Sequence, residues 1–246
     1  MNILGFFVGV GFILGGMMIE GSHPTALLDL PAFMIVIGAA FGAGMVQFPI
    51  GTVIGALVRL KWLIAPPRHD LIGQSSLLES MLQTARQQGL LALENTLGNI
   101  NDPFTKKGIQ MIVDGVDKEQ LVALLEAEME HEEYEEEQYI KVLEGIGGYA
   151  PCMGIIGAVL GLIHAMGLLD QPELLGPSIA VAFVATIYGL VAANLLFLPA
   201  GNRFKAILHD RLAFKAMTLE GLVSISNGEN SMQLKRKLSV YTGQEV

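Results

Sequence analysis

Two neighbouring stretches constrain this sequence most: residues 145–169 and 174–202 contain no Asp, Glu, Lys or Arg and are separated by only four residues. An apolar run of about 18–20 residues crosses a hydrocarbon core of roughly 30 Å, so each can span a bilayer with length to spare. Two shorter charge-free stretches, 3–19 and 31–48, meet the same test, the first only just. The mean hydropathy of +0.50 fits a membrane protein better than a soluble domain. The first stretch has no basic residue ahead of it and no small-residue cleavage pattern behind it. It therefore reads as a retained helix and not as a signal peptide.

Orientation follows from the basic residues, because Lys and Arg near span ends are retained on the cytoplasmic side. All fifteen lie in 49–145 or after Asn202, and the connectors 20–30 and 170–173 have none. Both large polar segments are thus expected in the cytoplasm with the two termini, and both short loops outside. The net charge of −9 does not contradict this, and it argues against nucleic acid as a partner. A single cysteine, Cys152, excludes an internal disulfide and a cysteine-based metal cluster. No metal or cofactor is expected.

The polar segment between the second and third spans has helical periodicity broken by turn residues. Asp70 can cap a helix with apolar positions Leu71, Leu78, Met81, Leu82 and Ala85, and Gly89 ends or bends it. A second helical run, "LLALENTLGNI", stops at the Asn101-Asp102-Pro103 turn signal. A third begins near Asp117, with Gln120 three residues on. It leads through eight acidic residues between Glu126 and Glu137 into the third span, predicting one long helix from cytoplasm to membrane. The acidic run reads as a solvated face. The fourth span likewise runs on into an amphipathic helix that "SNGEN" breaks before a basic "KRK". No strand-period segment or repeat stands out, so the fold expected is an all-α membrane protein. It has four transmembrane helices, a helical cytoplasmic domain between spans two and three, and a C-terminal cytoplasmic amphipathic helix.

Within the spans, Gly5/Gly9, Gly11/Gly15, Gly38/Gly42 and Gly157/Gly161 place small residues four apart. In lipid such faces allow close helix contact, either inside the subunit or with a partner. Ala158 and Thr186 fall midway along spans three and four. Pro151 and Pro199 fall in their cytoplasmic thirds, as a bendable level or as prolines a membrane helix simply tolerates. His164 lies near the outer end and reads as interfacial. An ion-coupled protein normally needs an intramembrane carboxylate, and these spans offer none.

The stretch "APCMGIIGAVLGLIHAMG", followed by "LGPSIAVAFVATIYGLVAANLLFLPAGNRF", resembles the channel half of the MotA/TolQ/ExbB proton-channel family. "ARQQGLLALE", with Arg86 and, eight residues later, Glu94, resembles the cytoplasmic motif of MotA-type flagellar stator subunits. "LEGLVSISNGEN" resembles their C-terminal signature, and "IEGSHPTALLDLPAFMIVIGAAFGA" their first turn and second span. The sequence departs from the family at Ala39-Ala40, where Gly-Thr is usual, and at Ser231, where proline is common.

The resemblance implies five copies around a dimer of a single-span MotB-type partner, which supplies the ion-carrying aspartate. The small-residue face would receive the partner's helix. It assigns Ala158, Thr186 and Tyr188 to the ion path, Pro151 and Pro199 to conformational coupling, and Arg86 and Glu94 to the rotor protein FliG. Sodium-type relatives carry threonine in spans three and four. Here the span-three position is Ala158, so proton coupling is expected. The division implied is 1–48 for spans one and two, 49–144 for a rotor-facing domain, 145–202 for the channel half and 203–246 for the C-terminal helix and tail. The place is the bacterial inner membrane, in contact with lipid. The nearest rival is a TolQ/ExbB-type energiser of outer-membrane transport, disfavoured by four spans and by Arg86 with Glu94. An enzyme is disfavoured because Cys152, His164 and scattered glutamates make no catalytic set.

Overall fold

The computed structural model describes residues 3–243, and among these every regular element is a helix. In chain order they are α1 (Ile3–Ile19), α2 (Leu30–Gln47), α3 (Ile50–Arg59), α4 (Leu71–Gln88), α5 (Pro103–Val113), α6 (Lys118–Met166), α7 (Pro172–Ser226) and α8 (Ser231–Thr242). Helices α2, α6 and α7 are long and apolar enough to cross a membrane. With 17 residues, α1 is apolar but falls just short. The chain divides into two compact units, 1–66 with 137–205 and 67–136 with 206–246. Helices α6 and α7 contribute to both.

In the first unit α6 and α7 pack through residues too small to keep their backbones apart. A Cβ added to Gly157 would stand 2.8 Å from that of Ala185, and one on Gly161 2.9 Å from that of Ala182. Only glycine permits this approach. Helix α2 closes on the pair, burying Ala32 and Val36 with Val184 and Ala185. Gly44 faces Ile146, Phe41 meets Phe197 edge-on at 5.7 Å, and Gly9 of α1 faces Leu195. The Gly157/Gly161 pair thus makes a contact inside the subunit, with the chain's own Ala185 and Ala182. Gly5, Gly11, Gly15, Gly38 and Gly42 do have open space around them.

The second unit has an ordinary aliphatic core of Leu78, Leu82, Leu93, Phe104, Ile109, Leu121, Leu125, Met217, Leu222 and Leu238. Its helices start where the sequence supplies caps. The side chains of Asp70, Asp102 and Asp117 accept hydrogen bonds from the backbone N–H groups of Gly73, Thr105 and Gln120. Gly89, at φ +87°, ends α4 as expected. The buried Gln74 amide donates to Thr105 Oγ1 (2.7 Å) and Thr218 Oγ1 (3.0 Å), so its amide hydrogens are not left unpaired.

The sequence reading leaves α5 and α8 unassigned, although both carry start signals. Asp102 caps α5 with Pro103 at its first position. A reciprocal Asn230/Gln233 capping box opens α8. The acidic run is also less solvated than expected. Arg211 Nη1 lies 2.7 Å from Glu132 and 3.4 Å from Glu136, Lys215 bonds Glu132, and Lys107 bonds Glu128. One side of the run is therefore an ion-paired seam, while Glu126, Glu130, Glu133 and Glu135 stay exposed.

Candidate functional site

In the first unit, the candidate channel residues sit on the two helices locked by glycine. A Cβ on Gly154 would lie 3.3 Å from the Thr186 Cα, and Gly157 faces Ala185. Ala158, next to Gly157, is therefore within about one helical turn of the Thr186 level. Both are half-buried, and the Thr186 hydroxyl has no hydrogen-bond partner among the described residues. A groove of about 410 Å³ opens beside them, lined by Asp29, Ile35, Gly157, Gly161, His164 and Ser178 among others.

Tyr188 has a different environment. Its hydroxyl donates to the Leu27 carbonyl and accepts from the Asp29 N–H at 3.1 Å, and its ring stands edge-on to Phe33 at 6.1 Å. Asp29 in turn caps α2, its Oδ1 accepting from the Ala32 N–H at 2.7 Å. Tyr188 thus ties α7 to the segment that starts α2. Sequence reasoning did not single out Asp29. The signal was an Asp two residues ahead of Pro31, an N-cap pattern like that of Asp102.

The two prolines are not level. Gly147 packs against Leu198 and Gly201 against Glu144, so Pro199 lies beside Gly147. Pro151 is four residues further along α6, about one turn away. Proline at 199 has no N–H to give the preceding turn, and just ahead of it Ala192–Phe197 is wound as π helix. Pro199 is exposed and borders a cavity of about 400 Å³ with Phe6, Leu63, Asn194 and Arg203.

In the second unit, Arg86 lies in the last turn of α4 and Glu94 in the 3₁₀ turns Leu90–Asn99 that follow Gly89. Both are exposed, and neither has an ion-pair partner among the described residues. The core contacts of Leu82, Ala85 and Leu93 fix the backbone beneath them.

Comparison with known proteins matches residues 97–217 to the MotA/TolQ/ExbB proton channel family and residues 3–89 to the motility protein A N-terminal model. Motility protein A of Helicobacter pylori is 33% identical over 98% of this chain and 93% of that protein. The uncharacterized protein YtxD of Bacillus subtilis is 30% identical over 100% of this chain and 93% of its own length. The solved structure of Campylobacter jejuni MotAB superposes with a TM-score of 0.92 at 32% identity, covering 98% of this chain and 94% of that one.

Proposed function

This chain belongs to the MotA/TolQ/ExbB proton channel family, and we propose that it is a flagellar stator subunit that pairs with a MotB-type partner and converts inward proton flow into torque. One observation carries the reading. The α6–α7 lock brings Ala158 close to the level of an unengaged Thr186 hydroxyl, and the charge-free stretches of both helices hold no carboxylate. An ion-coupled membrane protein normally needs an intramembrane carboxylate, so the carrier arrives in trans, on the partner's helix. The motility protein A N-terminal match over residues 3–89 favours a stator over an energiser of outer-membrane transport.

In this reading four helices cross the bacterial inner membrane, with both termini cytoplasmic. Residues 1–48 are spans one and two, 49–144 the rotor-facing domain, 145–202 the channel half and 203–246 the C-terminal helices and tail. Five copies surround a partner dimer. The ion passes Ala158 and Thr186, and Tyr188 steadies the wall from behind. A proton needs no cage of oxygen ligands, which suits a level where one side is an alanine. Pro151 and Pro199 let the cytoplasmic ends of the spans bend, and the cavity beside Pro199 gives that bend room. Arg86 and Glu94 face FliG, where exposed ion pairs worth about 0–1 kcal/mol form and break with each step.

The test is swimming of a stator-less strain carrying this chain with its cognate partner. Motility that survives removal of sodium and stops with a protonophore is expected. A sodium requirement would overturn the ion assignment. Absence of motility in a verified, inserted complex would overturn the stator reading.

A further inference from the structure

Gly89 ends α4 at φ +87°, its N–H donating to the Ala85 carbonyl at 2.9 Å, and the 3₁₀ turns Leu90–Asn99 follow. Their register is set by Leu93, which is fully buried in the core of the second unit, and by Thr96, whose hydroxyl donates to the Leu93 carbonyl at 2.6 Å. In a 3₁₀ helix side chains three apart eclipse. Leu90 therefore stands over Leu93 and is 37% exposed, whereas Leu91 is turned outward, 71% exposed, on the same edge as Glu94.

A single exposed leucine is ordinary, but these two stand together. Among the described residues of the second unit, no other two consecutive large apolar side chains are exposed. The pair lies between Arg86, four positions before Leu90, and Glu94, three after Leu91, and both charges are exposed without ion-pair partners among the described residues. An apolar centre with a charge on each side is the pattern of a docking surface. In such surfaces a few central contacts that exclude water carry the binding, and charges at the edge steer it.

We propose that Leu90 and Leu91 form the water-excluding centre of the contact with the rotor protein, with Arg86 and Glu94 as its charged rim. The inference rests on the reading that Arg86 and Glu94 face the rotor. It adds the chemistry of the opposing surface, an apolar patch set between an acidic and a basic side chain. Exposed opposite charges alone make a contact that water and salt weaken. Apolar attraction has no preferred direction, so the leucines hold the two surfaces together while the ion pairs break and re-form as the rotor advances. The charges set the register of each step.

The test measures binding of fluorescently labelled rotor protein to the full chain, assembled with its partner in lipid nanodiscs, at low and at high salt. Leu91→Ser should weaken binding about tenfold or more at both salts, as loss of a central anchor does. Leu91→Met, which keeps the apolar volume, should bind like the parent. Arg86→Ala combined with Glu94→Ala should weaken binding at low salt and match the parent at high salt, where the charges are screened. All three should melt with the parent, because none of these side chains is buried.

Parental binding by Leu91→Ser beside weakened binding by the charge variant would overturn the leucine centre and leave the rotor reading intact. A Leu91→Ser loss confined to low salt would overturn it too, since salt does not screen the burial of a leucine. Absence of binding by the parent, or parental binding by both variants, would overturn the rotor reading and this proposal with it. A lower melting temperature for Leu91→Ser would place the residue's task in the fold, and a smaller oligomer on size exclusion would give the cover to a second copy. Either result would overturn the proposal.

Discussion

Gly189 of α7 meets α6 at Ala150, so closely that a Cβ on Gly189 would stand 2.5 Å from the Ala150 carbonyl oxygen. That oxygen belongs to the backbone and cannot rotate away, so a methyl group there must push the helices apart. Gly189→Ala is expected to destabilise the chain by about 1–3 kcal/mol and to abolish swimming. Gly16→Ala, in open space on α1, should leave stability unchanged. Thermal unfolding of both variants in detergent distinguishes a backbone lock from a general intolerance of membrane helices to alanine.

Tyr188→Phe keeps the ring against Phe33 and removes the hydroxyl shared by the Leu27 carbonyl and the Asp29 N–H. Leaving two partly buried backbone groups without partners should cost about 1–3 kcal/mol. Hydrogen exchange should quicken in residues 24–32, where α2 starts. If only ion conduction falls and exchange there is unaltered, Tyr188 lines the path and does not hold α2.

Acid should destabilise the second unit in two stages. Burial pushes the His69 imidazole below its usual 6.5, and the Arg211 charge adds to this against the opposing carboxylates of Asp102, Glu132 and Asp210. A group with a depressed pKa that must charge in acid loses its contribution as pH falls below 6.5. His69 Nε2 is also buried without a hydrogen-bond partner among the described residues, its ring tilted against that of Phe214 at 4.9 Å. Burial alone would raise the Glu132 carboxyl, but hydrogen bonds from Lys215 and Arg211 outweigh it and hold the group below 4.5. Its contribution is present above 4.5 and lost as pH falls through the lower, folded value. Glu132→Gln should therefore lower stability at neutral pH and flatten the lower stage of an acid titration, while enlarging the upper one, because a carboxylate that holds the His69 value up is gone. Circular dichroism melts across pH 3–8 check both.

The parts of this fold that were legible in the sequence are those set by length, charge and capping. Charge-free stretches marked α2, α6 and α7, and Asp70, Asp117 and Gly89 marked helix ends. The long α6 was visible because no turn residue interrupts the passage from Gln120 to Gly145. What escaped depends on which faces meet. The Gly157/Gly161 pair has the same spacing as Gly38/Gly42, yet one pair is filled by Ala182 and Ala185 and the other is open. Nothing in a four-residue spacing chooses between them. Likewise the staggering of Pro151 and Pro199 depends on the register of α6 against α7, and the pairing of Glu132 with Arg211 on a contact 79 residues apart.

Arg86 and Glu94 test the rotor contact most directly, because their side chains have no structural task inside the chain. Both are exposed, and neither is ion-paired among the described residues. Reversing either charge should change stability by no more than about 0.5 kcal/mol, so melting curves of Arg86→Glu and Glu94→Lys should overlay the parent's. Torque should nevertheless fall for each variant, and the loss should deepen at low ionic strength, where exposed charges a Debye length of roughly 30 Å apart still interact. Partial recovery on reversing a single opposite charge in the rotor protein would identify the pair, since restoring attraction at one contact leaves the backbone beneath it untouched. Normal torque from both single variants at low salt would remove these two residues from the contact and turn attention to the exposed glutamates of α6. Neutralising Glu126, Glu130, Glu133 and Glu135 together would then decide whether that face meets the rotor or only water.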